Sequence, residues 1–256
     1  MTAEKYHSYM MPKTAQTNEH KIMIPQKELW SARTVIHTAM QILFPPRCGG
    51  CGARGAWICD GCASDIRDYA QNCFFCETHT LSTRVCEACA KRFAIEAIYW
   101  PWKYNNEKTH KIIGDYKYKG LRGAGPTLAK YLRQTVIERL PDDDWQVLPI
   151  PIHKSKERER GYNQSYLLAR ELGLPMIGRA LVRSKATPPQ ARMNSRKERF
   201  ESMRNAFEVQ RPQDIKDKAI LLIDDVATTG ATLSEAARLL KRAGARRIVA
   251  GVLAHG

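Results

Sequence analysis

Residues Asp224-Asp225-Val226-Ala227-Thr228-Thr229-Gly230-Ala231-Thr232 set two carboxylates beside three threonines and a glycine. They follow the apolar run Ala219–Ile223, which reads as a buried parallel strand, and lead into Leu233–Leu240, which reads as a helix. Carboxylates at a strand end accept hydrogen bonds from vicinal hydroxyls or hold Mg²⁺ through water. The free N–H groups of the turn, aided by the helix dipole, then favour a phosphate. Gly230 lets the backbone curl close to that anion, and Thr228, Thr229 and Thr232 add hydroxyl donors. The stretch is a site for a phosphorylated sugar. A plain helix cap needs one such residue and leaves the second aspartate and the extra threonines unexplained.

A second chemistry lies upstream. All eight cysteines come as C-x-x-C pairs, Cys48/Cys51, Cys59/Cys62, Cys73/Cys76 and Cys86/Cys89. Two residues between cysteines let one tight turn present both thiolates to a tetrahedral ion, and two such turns complete a four-sulfur site. Eight ligands imply two structural Zn²⁺ sites. Spacing leaves open whether neighbouring pairs share an ion or the pairs interleave. His79 is read as a surface residue, since the cysteine set is already complete. A segment this short has too little core to fold unaided, so its metals are expected to hold it.

The elements that position these groups can be read in outline. Residues 1–26 are polar and read as a disordered tail; residues 27–46 contain an amphipathic helix stopped by Pro45-Pro46; residues 47–92 form the double zinc ribbon; residues 93–256 form the catalytic-type domain. In that domain, strands at 97–100, 145–152, 219–223 and 247–253 alternate with helices at 107–116, 125–140, 165–172 and 232–243. Residues 153–164 read as a basic stretch after a strand end, and residues 183–205 as a long loop with one helical turn. The alternation predicts an α/β fold, a doubly wound parallel sheet with ligand at the carboxyl ends of its strands.

The formal charge is +15, and residues 153–204 alone hold 13 basic against 5 acidic side chains, which suits a polyanion. No apolar run approaches the ~20 residues a membrane span needs, and the first residues contain no signal-peptide core. A cytoplasmic chain is expected.

The acidic pair followed by Thr-Thr-Gly-x-Thr resembles the signature of type I phosphoribosyltransferases, which bind 5-phosphoribosyl 1-pyrophosphate (PRPP) with Mg²⁺. Pro149-Ile-Pro151, Arg160-Gly-Tyr-Asn-Gln164, Thr187-Pro-Pro-Gln190, Arg199, Ala206-Phe207 and Lys117-Tyr118 narrow this further. Together with the four cysteine pairs they resemble the ComF/GntX family, which joins a double zinc ribbon to a phosphoribosyltransferase domain. Ser202 stands where the family pattern has Asn, and Thr228 where purine-type relatives carry an acid. The resemblance implies that Asp224 and Asp225 lie along the ribose and act in any catalysis. It implies that Ala227, Thr228, Thr229, Gly230, Ala231 and Thr232 wrap the 5-phosphate, with Arg160 and Lys154 meeting pyrophosphate. Arg183, Lys185 and Arg192 would close over the site.

Several family members serve natural transformation, so the resemblance implies binding of incoming single-stranded DNA, alongside other DNA-uptake or competence proteins. Trp102, Tyr104 and Tyr162 are candidates for stacking on bases, with Trp100 read as core. A salvage phosphoribosyltransferase and a PRPP-sensing regulator are the competing expectations.

Overall fold

The computed structural model describes residues 45–69, 72–80, 85–119, 121–187 and 195–256, all in the unit Pro45–Gly256. The expected tail at 1–26 and nearly all of the expected helix at 27–46 lie outside the described residues, as do Gln190 and Arg192. Two short helices follow cysteine turns, α1 (Asp60–Asp65) and α2 (Glu87–Phe93). Next come β1 (Ala97–Tyr99), β2 (Trp102–Lys103), α3 (Glu107–Tyr118), α4 (Gly125–Ile137) and β3 (Trp145–Pro149). The chain continues through α5 (Lys154–Arg160), α6 (Gln164–Arg170), β4 (Leu181–Arg183), α7 (Arg196–Met203) and β5 (Phe207–Val209). It ends with β6 (Ala219–Ala227), α8 (Ala231–Arg242) and β7 (Arg247–His255).

The main sheet has the order β1-β7-β6-β3, all parallel, with β2 continuing beside β7 beyond β1. Every residue from Ala219 to Ile223 is buried because both faces of β6 are covered, the condition under which a strand sequence is apolar throughout. Ala219, Leu221 and Ile223 face a core with α3, α4 and α6, whereas Ile220 and Leu222 face a core with α8. The first cysteine set joins the former core through Cys48 and Cys62, and the second joins the latter through Cys73 and Cys89. The two sets thus lie on opposite faces of one sheet, and their apolar contacts are continuous with its cores.

Three expectations need correcting. β6 does not stop at Ile223: Asp224 pairs with Val252 and Ala227 with His255, since backbone pairing with β7 is indifferent to the acidic side chains. Residues 154–160 are a helix. Their run of charges has no apolar period, but the His153 ring accepts from Ser155 N–H as a cap, and Glu157 precedes Arg158 and Arg160 in the order the helix dipole favours. The segment expected as a long loop contains α7 and joins the two strands of an antiparallel ribbon, β4 and β5, in which Arg183 opposes Phe207. Asn205 completes that turn at a φ of 56°.

α4 packs on β7 at Gly251, where an added Cβ would sit 2.8 Å from Val136 Cγ2 and 3.1 Å from Ile223 Cδ1. Gly251→Val therefore overpacks the interface. It should cost about 1–3 kcal/mol, measured as a lower denaturant midpoint with an unchanged slope.

Candidate functional site and the paired cysteine sets

The acidic pair lies within β6 near its carboxyl end, and each carboxylate has distinct partners. Asp225 is buried, with Lys117 Nζ 2.9 Å from its Oδ1 and Gln164 Nε2 donating to its Oδ2 at 3.3 Å. Asp224 Oδ1 accepts from Ser165 Oγ and from the Asp225 N–H, both at 2.9 Å. Burial, then the charge of Asp225, pushes the Asp224 carboxyl up to about 7 despite those two donors. Burial works against the Lys117 ammonium, but Asp225 and Asp224 outweigh it and raise its pKa. Lys117 sits in the last turn of α3, so this helix delivers an ammonium to a strand end far along the chain.

Further cations gather around the pair. Lys156 is half-buried in α5, and its pKa is lowered by burial and by the charges of Arg183, Arg160 and Lys117. Arg183, on β4, is lowered by desolvation and feels the charge of Asp224. Its guanidinium donates to Thr187 Oγ1 and lies over the Phe207 ring. Arg160 stacks on Tyr118 at 4.9 Å and donates to its hydroxyl at 3.2 Å. Lys154 is exposed in the first turn of α5. Of the cations expected at the site, Arg183 feels the charge of Asp224, whereas Arg160 meets Tyr118 and lies near Lys156. Lys117 was noticed only as a motif residue, and Lys156 was not assigned.

The turn after the pair is open to an anion. Gly230, at a φ of 75°, is the N-cap of α8 and brings no side chain to the helix start. Thr229 Oγ1 accepts from Ala231 N–H at 3.4 Å, and Thr228 Oγ1 accepts from Arg199 at 3.2 Å. Asp224, Ala227, Thr228, Gly230, Ala231 and Thr232 line one small cradle. Asn163 caps α6 through Ser165 N–H and anchors to the Ile150 carbonyl, a structural role. Gln164, paired with it in the sequence reading, instead reaches Asp225.

The eight cysteines form two sets, Cys48, Cys51, Cys59 and Cys62, and Cys73, Cys76, Cys86 and Cys89, with all sulfurs of a set within 4.8 Å of one another. Neighbouring pairs share a set; they do not interleave. The second set repeats the first. Cys59 N–H points at Cys48 Sγ (3.4 Å) and Cys86 N–H at Cys73 Sγ (3.3 Å), and each second pair opens a short helix. The Cys51–Cys59 and Cys76–Cys86 sulfurs are 3.7 and 3.6 Å apart. A zinc–sulfur bond of about 2.3 Å gives tetrahedron edges of roughly 3.8 Å, so the donors fit zinc. Burial, then hydrogen bonding among the sulfurs, pushes Cys62 up to about 12 and raises Cys89 as well. Burial opposes ionisation of Cys48 too, but N–H groups of Cys51, Cys59 and Gly50 hold it at about 6. Four thiols whose ionisation is so unequal need a shared cation to ionise together. His79 is exposed and outside both sets.

A parallel sheet that carries an acidic pair and an open hydroxyl–glycine turn at a strand end defines a phosphoribosyltransferase-type domain. Residues 160–256 match the phosphoribosyl transferase domain family. The chain is 28% identical over 215 residues to Competence protein F of Haemophilus influenzae, covering 78% of this chain and 86% of that protein. It is 33% identical over 122 residues to the DNA utilization protein YhgH of Escherichia coli, covering 46% of this chain and 51% of that one. It is 30% identical over 144 residues to Competence protein ComFC of Bacillus subtilis, covering 54% and 56%. The match thus spans only about half the length of the latter two relatives. Two four-cysteine sets ahead of a phosphoribosyltransferase domain, together with these relatives, bear out the resemblance to the ComF family. Among the described residues no helix is long and apolar enough to cross a membrane.

Two outcomes follow. The chain should carry two zinc ions, and replacing Cys51 and Cys59 together by serine should leave one by metal analysis; interleaved pairs would leave none. Asp224 is harder to ionise folded than unfolded, so its cost is absent near pH 4, grows as pH rises and is complete above about pH 7. Asn keeps the oxygen that accepts from Ser165 and Asp225 without the charge. Asp224→Asn should therefore melt above the wild type at pH 8, and the gap should close towards pH 4 in paired thermal melts.

Proposed function

We propose that the chain binds PRPP with Mg²⁺ at Asp224–Thr232 and acts in natural transformation, binding incoming single-stranded DNA in the cytoplasm. The observation that carries the PRPP reading is the acidic pair itself, with Lys117 on Asp225 and Asp224 lining the cradle at the start of α8. There, carboxylates for sugar hydroxyls lie next to N–H groups for a phosphate and cations for a pyrophosphate. Ala227 to Thr232 wrap the 5-phosphate, with Arg160 and Lys154 towards the pyrophosphate and Lys156 and Arg183 beside them. The carboxylates suit a hard divalent cation, which would screen them from the pyrophosphate charge. Two Zn²⁺ ions hold residues 47–92, and residues 93–256 form the phosphoribosyltransferase domain. The role in DNA uptake rests on the names of the competence and DNA-utilization relatives and on the positive charge of residues 153–204. Other DNA-uptake proteins are its expected partners.

A second reading, PRPP binding without turnover, is favoured by Thr228. This residue stands where an acid would handle a proton on an acceptor base, and its hydroxyl accepts from Arg199. A salvage enzyme would need a base from elsewhere.

Asp225→Asn tests the site. Losing a charge-assisted hydrogen bond to the ribose should weaken PRPP·Mg²⁺ binding about 10- to 100-fold by calorimetry, with zinc content unchanged. Equal affinity would remove Asp225 from the site.

A further inference from the structure

Between the second cysteine turn and the phosphate turn lies a cleft of about 450 Å³. That is within the range of roughly 300–1,000 Å³ common to small-ligand sites. Its floor is aromatic: the rings of Phe74 and Trp100 each lie 4.6 Å from the imidazole of His255. Burial lowers the His255 pKa, so that ring is uncharged at neutral pH. Tyr69 stands at the rim, 74% exposed, and Lys103 and Arg196 are exposed beside it. Thr228 and Thr229 of the phosphate turn form part of the wall. Neither Asp224 nor Asp225 lines this cleft, and the PRPP reading makes no use of its aromatic floor.

The chemistry selects a class of ligand. The half-buried His255 ring, backed by the buried Phe74 and Trp100, and the protruding Tyr69 offer faces to a flat ring, and the ammonium and guanidinium offer partners to a phosphate attached to it. A bare phosphate would leave the rings unused, and an aliphatic chain would leave the cations unused. The acidic lining is divided: Asp68 Oδ2 accepts from Trp100 Nε1 at 2.8 Å, and Glu77 repels a phosphate towards Lys103 and Arg196. We propose that this cleft seats one base and the adjoining phosphate of a single-stranded nucleic acid. The inference deepens the strand-binding reading above and rests on it. It also moves the stacking surface. Trp102 and Tyr162 are buried, and Tyr104 lies against His110 with ring centroids 4.1 Å apart. Tyr69 is the exposed aromatic that borders the cleft.

The test is fluorescence anisotropy of a labelled oligothymidylate at low salt, with PRPP·Mg²⁺ affinity and thermal midpoint measured on the same samples. The wild type should bind, and more weakly as salt rises. Tyr69→Ala and Lys103→Glu change exposed side chains, so both should keep the wild-type midpoint and PRPP affinity. Tyr69→Ala should weaken oligothymidylate binding about five- to a hundredfold, the loss expected from one stacked base, and Lys103→Glu should weaken it and flatten its salt dependence. Tyr166→Ala, at an exposed tyrosine that does not line the cleft, should bind like the wild type. If both cleft variants bind as tightly as the wild type, the cleft is not the site, while the strand-binding reading survives. If the wild type does not bind the oligothymidylate, both fall together.

Discussion

Gly230 has no room for a side chain. Its φ of 75° already disfavours one, and an added Cβ would lie 2.7 Å from the rings of both Phe74 and Phe75. Those phenylalanines are the two residues between Cys73 and Cys76, so the wall behind the phosphate turn is the inside of a cysteine turn. Phe75 also stacks on Phe93 at 3.9 Å, and its carbonyl accepts from Arg196 at 2.7 Å. The backbone can curl there only while the two rings hold their place, and the second cysteine set fixes that place.

The first set does the corresponding work on the other face. A Cβ on Gly49 would lie only 3.0 Å from Ile112 Cγ1, the Gly49 carbonyl accepts from Lys111 at 2.7 Å, and Lys108 pairs with Asp65. All three partners lie in the first half of α3, and the last turn of that helix presents Lys117 to Asp225. One cysteine set thus positions the cation beside the acidic pair, and the other shapes the turn beyond it. This gives a physical reason for the cysteine sets to accompany a phosphoribosyltransferase fold: they brace the two halves of one site from opposite faces of its sheet.

The strand–turn–helix at Asp224–Thr232 was legible because its signals are local: an apolar run, a glycine where the chain must turn left-handed, and hydroxyls at a helix start. The cysteine sets were legible for the same reason, although their pairing was not, since sequential and interleaved arrangements use the same spacings. What sequence did not reveal was long-range. Lys117 is an ordinary surface-type residue until α3 carries it to Asp225, and nothing local to Gln164 says that it reaches Asp225 while its neighbour Asn163 caps α6. α5 escaped because apolar periodicity is silent on a fully charged helix. The aromatics were misjudged because nothing in Trp102 or Tyr162 says that the ring points inward, nor in Tyr69 that it points out.

The site is also where the chain accepts an energetic cost. Two adjacent carboxylates at the end of a buried strand repel each other, and desolvation raises Asp224 further. Only part of that cost is offset, by Lys117 on one member and by Ser165 and a backbone N–H on the other. Nearby, burial lowers the proton affinity of both Lys156 and Arg183, and the charges of Arg183, Arg160 and Lys117 lower that of Lys156 further. An apolar pair at 224–225 would be cheaper for a strand with both faces covered. Unlike charges brought close yet left incompletely neutralised favour a ligand that carries both signs, a metal-bound polyphosphate on a sugar. Under the proposed function, a ligand of that kind would offset on binding part of the cost of burying the pair.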